Sequence, residues 1–254
     1  PNFEVEYYAP APGKSLTEIA VEQETDFETL NKNLDTTRNK LFQARSKRIR
    51  PITDVKILTA WNGLMIAGLA DAGRILKRED YIKAASDAAD FILRELSTKQ
   101  GRLLRSYAAD EAKLNAYLDD YAFLASGLIA LHRATNDKRW LAAAKALTDK
   151  QIELFVDNNA GGFFFTSSDH PTLIVRVKDP VDSAIPSGMS VTAENLAYLT
   201  AKHADEGYDA QLKSTLKSLA PLMRRAPSAT PRAAAVLAKY LEQLPPPALR
   251  IPQQ

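Results

Sequence analysis

Asp119-Asp120-Tyr121, Trp61-Asn62 and the polar run from Arg176 to Gly188 are the stretches whose residue types suit chemistry. Adjacent carboxylates in the first turn of a helix point about 100° apart, so at most one of Asp119 and Asp120 faces a given cavity. Asp120 is the candidate general acid or base, with a proton affinity set by burial. The alternative is an acidic residue that complements the dipole of its helix. Trp61 and Tyr121 offer rings on which a sugar stacks, and Asn62 an amide for hydroxyls, although a tryptophan at helical spacing is commonly core. Asp179 and Asp182 are the candidate partner carboxylates of Asp120, with Asp182 the chosen one, and the separation of such a pair distinguishes retaining from inverting glycosidases. Arg105, Lys178 and Ser187 are candidates for binding and orienting a ligand. Ser187 also suits an N-cap, where free N–H groups hold an anion.

These residues need elements that bring them together, and the chain supplies a repeat. Shifting Gly68-Leu69 by 59 positions reaches Gly127-Leu128, with Arg74 falling on Arg133 and Tyr81 on Trp140. A further shift of 68 places Leu128 on Leu196 and Trp140 on Tyr208. Each copy reads as helix, polar turn, helix, which is the pattern of stacked helical hairpins. Helices rich in small residues (about 56–77, 113–135 and 189–205) suit an inner layer, and the more amphipathic 79–97, 138–156 and 207–225 an outer one. Trp61, Asp120 and Gly188 then occupy equivalent positions near the starts of the inner helices, on one rim.

Around this array, residues 1–50 read as a connector and an entry helix that starts at Thr25 or Asp26, with Thr25 and Glu28 as a capping box. Residues 51–244 hold the hairpins, including a strand-like link at 101–107 and a β-hairpin insertion at 157–188 built on Phe163-Phe164-Phe165 and Leu173-Ile174-Val175. Residues 245–254, opening with three prolines, read as an extended tail.

Composition excludes several classes. The chain has 254 residues, 45% of them hydrophobic, and 33 basic residues nearly balance 31 acidic ones, so neither nucleic acid nor a membrane is an expected partner. With no cysteine and three scattered histidines, no metal site and no cofactor are expected. No apolar run has the length of a membrane span. The chain opens at Pro1-Asn2-Phe3 without a methionine or a signal-peptide pattern, so it reads as part of a longer, cytoplasmic protein.

Asp54-Val55-Lys56-Ile57-Leu58-Thr59-Ala60-Trp61-Asn62-Gly63-Leu64, Leu118-Asp119-Asp120-Tyr121-Ala122, Gly161-Gly162-Phe163-Phe164 and Pro186-Ser187-Gly188 together resemble the YyaL-like family, which includes the spermatogenesis-associated thioredoxin-domain proteins. The resemblance implies a mainly α fold, the α/α toroid of six-hairpin glycosidases and sugar epimerases, here as an incomplete ring of antiparallel hairpins. It implies a carbohydrate-like ligand by analogy of fold, or a scaffold for a thioredoxin-like domain. Met189 departs from the asparagine that tends to follow Pro-Ser-Gly in the family. Half a ring exposes apolar helix faces, so a homodimer, or a missing N-terminal half of the same protein, is expected to cover them.

Overall fold

A computed structural model of the chain describes residues 13–171, 174–203 and 207–242. The tail at 245–254, the aromatic opening at Phe3 and part of the strand at Leu173 lie outside them. The chain divides into two compact units, 1–54 and 55–254. Among the described residues no helix is long and apolar enough to cross a membrane.

The first unit holds two helices, α1 (Leu16–Glu22) and α2 (Phe27–Ser46). Ser15 and Glu18 form a capping box that starts α1, a helix inside the stretch read as connector. The α2 start is Asp26, whose carboxylate accepts from the Thr29 N–H at 2.8 Å, so the expected Thr25–Glu28 box is replaced by a single aspartate cap.

The second unit carries the repeat as three hairpins and a half. These are α3 (Thr59–Leu76) with α4 (Glu79–Glu95), α5 (Leu118–Thr135) with α6 (Lys138–Phe155), α7 (Gly188–Lys202) with α8 (Tyr208–Arg225), and finally α9 (Pro231–Glu242). Lys77 and Asn136, separated by the same 59 positions, end α3 and α5 in the left-handed conformation with φ of 56° each, so the repeat preserves the turn as well as the helices. In the inner layer α3 packs on α5, α5 on α7 and α7 on α9, while α4 and α6 back α3 and α5, and α8 backs α7. Of these, α5 lies deepest: every residue from Asp120 to His132 except Ser126 is buried. By contrast α4 buries a stripe of Ala85, Ala89 and Ile92 and leaves its charged face wet.

Glycine sets the spacing between α3 and α5. A Cβ on Gly63 would stand 2.5 Å from the Leu124 nitrogen and the Phe123 carbonyl carbon, and one on Gly127 would stand 2.8 Å from the Gly63 oxygen. The two backbones touch directly. On the other side of α3, the large apolar side chains of Trp61, Met65, Ile75 and Leu76 are exposed.

The strand-like link read at 101–107 holds a strand, but the β-hairpin is displaced from where the sequence suggests it. Three antiparallel strands, β1 (Ile57–Leu58), β2 (Leu104–Ala108) and β3 (Glu111–Asn115), pair in that order, with Ile57 opposite Tyr107 and Leu104 opposite Asn115. The hairpin therefore joins α4 to α5, and its turn, Ala109-Asp110, has φ of 50° and 58°. The second inner helix starts at Leu118 rather than near 113 because this strand occupies the intervening residues. Within 157–187 the described residues form no strand. One bridge joins Val156 to Phe163, and the Phe165 N–H donates to the Val177 carbonyl at 2.8 Å. The phenylalanines do not alternate between faces: Phe163 is fully buried in the core and Phe165 stacks on Tyr117 with ring centres 5.0 Å apart. The run plugs the ends of helices instead of pairing as a ribbon.

Candidate functional site

The N-termini of the four inner helices are held by two aspartates. A helix start leaves N–H groups without intrahelical partners and carries partial positive charge, so a carboxylate there satisfies both demands. Asp120 accepts from the Ala60 N–H in the first turn of α3 and from the Tyr117 N–H ahead of α5, each at 2.9 Å. Asp182 accepts from the Ser187 N–H at 2.8 Å and from the Arg232 N–H in the first turn of α9 at 3.1 Å. The Asp119 carboxylate lies against Gly188 at the start of α7. A Cβ at Gly188 would stand 2.3 Å from the Asp119 carboxylate oxygen, so a larger residue there would displace that side chain. Ser187 completes the set: its hydroxyl accepts from the Met189 and Ser190 N–H groups at 3.1 and 3.4 Å and donates to the Asp179 carbonyl.

This places the expected rim residues in one continuous network, since Trp61 follows Ala60, Asp120 holds Ala60, and Asp119 reaches Gly188. Their roles differ from those expected. Asp120 is fully buried with both oxygens occupied, and the Arg105 guanidinium lies 3.6 Å from it. Burial pushes its carboxyl up to about 6, against the N–H groups of Tyr117 and Ala60 and the charge of Arg105, which pull it down. Asp182 is likewise a double cap and not the partner of an acid–base pair.

Asp119 is the carboxylate that keeps partial access to solvent. Burial raises its proton affinity first, then the negative charges of Asp120 and Asp179, and together they bring it up to about 6. A group that titrates there serves as either acid or base near neutrality. Of the two adjacent carboxylates, Asp119 is the half-buried one and Asp120, the expected acid or base, is fully buried.

Four further candidates are relocated. Tyr121 is fully buried in the core, where its hydroxyl accepts from the Leu103 N–H at 2.9 Å and from Arg102 at 3.0 Å, so it has no free face for a ligand. The Asn62 amide donates to the Leu58 carbonyl at 2.9 Å and closes the first turn of α3. Lys178 pairs with Asp157 at 2.7 Å and holds the Gly161 carbonyl, which fixes the loop after α6. Met189 is buried, so that position faces the core and not the rim. Trp61 and Arg105 remain available: Trp61 is 64% exposed, and the Arg105 guanidinium lies over the Tyr117 ring at 4.8 Å. Arg102, which sequence reasoning passed over, ties Asp169, Ser167 and the Tyr121 hydroxyl together beneath this surface. No residue spacing announces it, because its partners lie up to 67 positions away.

Two cavities lie nearby. The larger, about 670 Å³, runs between α5, α7, α8 and α9 and is lined at one end by the Glu194–Arg232 ion pair. The smaller, about 350 Å³, lies beside Lys178 and Met189. Neither is lined by Trp61, Asp120 or Ser187. Among the described residues no group of three or more histidine and carboxylate side chains is placed to hold a metal.

No family model matches the chain. It is 35% identical over 229 residues to spermatogenesis-associated protein 20 of Rattus norvegicus, a match that takes in 86% of this chain and 29% of that protein. The chain thus spans about three tenths of the length of the relative it matches. In fold it is similar to a GH76 α-mannanase of Bacteroides thetaiotaomicron, with a TM-score of 0.52 and 18% identity over 65% of this chain and 45% of that one. It is also similar to the cellobiose 2-epimerase of Bacillus thermoamylovorans, with a TM-score of 0.54 and 14% identity over 66% of this chain and 45% of the epimerase. At these identities the likeness speaks for the fold alone. The chain is a member of the spermatogenesis-associated protein 20 family, and its second unit has the fold of a segment of an α/α toroid.

Proposed function

We propose that the surface where the inner helices begin binds and processes a carbohydrate-like, polyhydroxylated ligand, with Asp119 as the acid or base. The observation that carries this reading is the environment of Asp119, a half-buried carboxyl raised to about 6 at the shared start of α5 and α7. Trp61, exposed on the first turn of α3, supplies an apolar face of the kind on which sugar rings stack, and Arg105, 3.6 Å from Asp120, supplies a cation. The solved neighbours of this fold include a mannanase and a sugar epimerase, which supports the choice of ligand class.

The test is Asp119→Asn in the full protein that contains this chain, assayed on mannan oligosaccharides and cellobiose. The amide keeps the size and shape of the carboxylate beside Gly188 and removes its ionisable proton. Turnover should fall by about 100-fold or more, the usual contribution of a positioned acid or base. Turnover unchanged by the substitution refutes the role of Asp119.

A second reading is favoured by the exposed apolar side of α3. It is a non-catalytic scaffold that presents Trp61, Met65, Ile75 and Leu76 to a thioredoxin-like domain. On that reading no sugar is turned over, and charged substitutions at Met65 and Leu76 release the partner domain.

A further inference from the structure

The larger cavity has a charge balance that the mouth does not explain. Its floor is the face of α7 bearing Glu194, Ala197, Tyr198 and Ala201, at helical spacing of three and four, between side chains of α5 and α9. Four basic residues, Arg133, Lys213, Arg232 and Lys239, line it against two acidic ones, Glu194 and Asp209. Both acids are already engaged: Glu194 pairs with Arg232 at 2.8 Å, and Asp209 pairs with Lys213 at 2.6 Å and accepts from the Tyr240 hydroxyl at 3.0 Å. Among the described residues, Arg133 and Lys239 have no carboxylate within ion-pair distance. Arg133 lies over the Tyr198 ring at 5.7 Å, and Lys202 reaches the same ring at 5.9 Å without a carboxylate partner among those residues. Cations thus gather at the end of the cavity formed by the last turns of α5, α7 and α9, away from the aspartates at the helix starts.

We propose that this cavity binds a phosphorylated polyol. Two cations without a carboxylate partner among the described residues match the charge of a phosphate monoester, and an arginine presents the planar fork that fits its oxygens. At about 670 Å³ the cavity falls in the range of small-molecule sites and exceeds what a bare anion fills. Ser126, Thr200 and Tyr240 line it; the Thr200 and Tyr240 hydroxyls donate to the Leu196 carbonyl and to Asp209, which leaves their oxygens as acceptors for a polyol. The site is independent of Asp119 and of any turnover at the mouth.

Equilibrium binding tests this at 150 mM salt, with glucose 6-phosphate, glucose and inorganic phosphate as separate probes. Glucose 6-phosphate should bind at least tenfold more tightly than either of the others. Arg133→Gln and Lys239→Gln should each weaken it by about tenfold, the scale of one charge-assisted hydrogen bond. Lys32→Gln, on α2, should leave it unchanged, and Asp119→Asn should leave it unchanged as well. Glucose binding as tightly as its phosphate overturns the anion site. Inorganic phosphate binding as tightly as the sugar phosphate overturns the polyol body. Equal weakening by Lys32→Gln shows nonspecific charge attraction and overturns the proposal altogether.

Discussion

Replacing Gly63 with alanine should separate α3 from α5, whereas the same change five residues on, at Gly68, should stabilise the protein. The Gly63 Cβ would meet two backbone atoms of α5 at 2.5 Å, where ordinary contact begins near 3.4 Å, so the helices must part by about 0.9 Å. A gap of that size forfeits roughly a quarter to a half of each dispersion contact along the seam. Ile66, Ala70, Leu124 and Leu128 all lie buried in that core. Set against about 1 kcal/mol gained from alanine's helix propensity, the net loss should be about 3 kcal/mol. Thermal unfolding followed by circular dichroism should then show Tm lowered by about 6–12 °C for a unit of this size. At Gly68 a Cβ meets nothing within 4 Å, so the propensity gain stands alone and Tm should rise by about 2–4 °C. If Gly63→Ala and Gly68→Ala shift Tm by the same amount, the reasoning about backbone contact is wrong.

The raised carboxyls also predict a pH dependence. Asp120 goes from 3.8 to about 6 on folding, so the folded state prefers its protonated form; stability on this account is greatest below about pH 4 and falls as pH rises to 6. A shift of about two units corresponds to about 3 kcal/mol, so Asp120→Asn should flatten urea-unfolding stability between pH 4 and 7 by about that much. An unchanged slope would contradict the burial assigned to Asp120. Asp157 acts in the opposite sense: Lys178 holds it down to about 2, so its contribution is present above 3.8 and lost as pH falls toward 2. Asp182→Ala removes the acceptor of two N–H groups on different helices and should cost about 2–4 kcal/mol in the same assay. A loss under 0.5 kcal/mol would show that water replaces the carboxylate there.

The helical framework was legible because its signals are local. Periodic apolar stripes, small residues in alternate helices and polar turns at a fixed offset each report on a few neighbouring positions, and Lys77 and Asn136 show that even the turn conformation repeats. The β-hairpin was misplaced for the converse reason. Ala109-Asp110 adopts two positive φ angles without the glycine that usually marks such a turn, while Phe163-Phe164-Phe165 has strand composition but is recruited singly into the core. In the site, the choice between Asp119 and Asp120 depends on the Ala60 N–H, sixty positions away, and no local pattern carries that contact. The same holds for Lys178, whose role is decided by Asp157 across a loop. Residue type showed where chemistry was possible, and long-range packing decided which atoms were already occupied.

The aspartate clamps grip main chain, and that makes them blind to the identity of the residues they hold. Ala60, Tyr117 and Arg232 each offer a peptide N–H that nearly every amino acid provides, so drift at those positions leaves the grip intact. Drift at Asp120 or Asp182 has no such tolerance, because no substitution on the donor side can restore a missing acceptor. Change at the mouth is thereby channelled onto outward side chains such as Trp61, which leaves the face toward a ligand free to diversify while the helix starts beneath it stay in register.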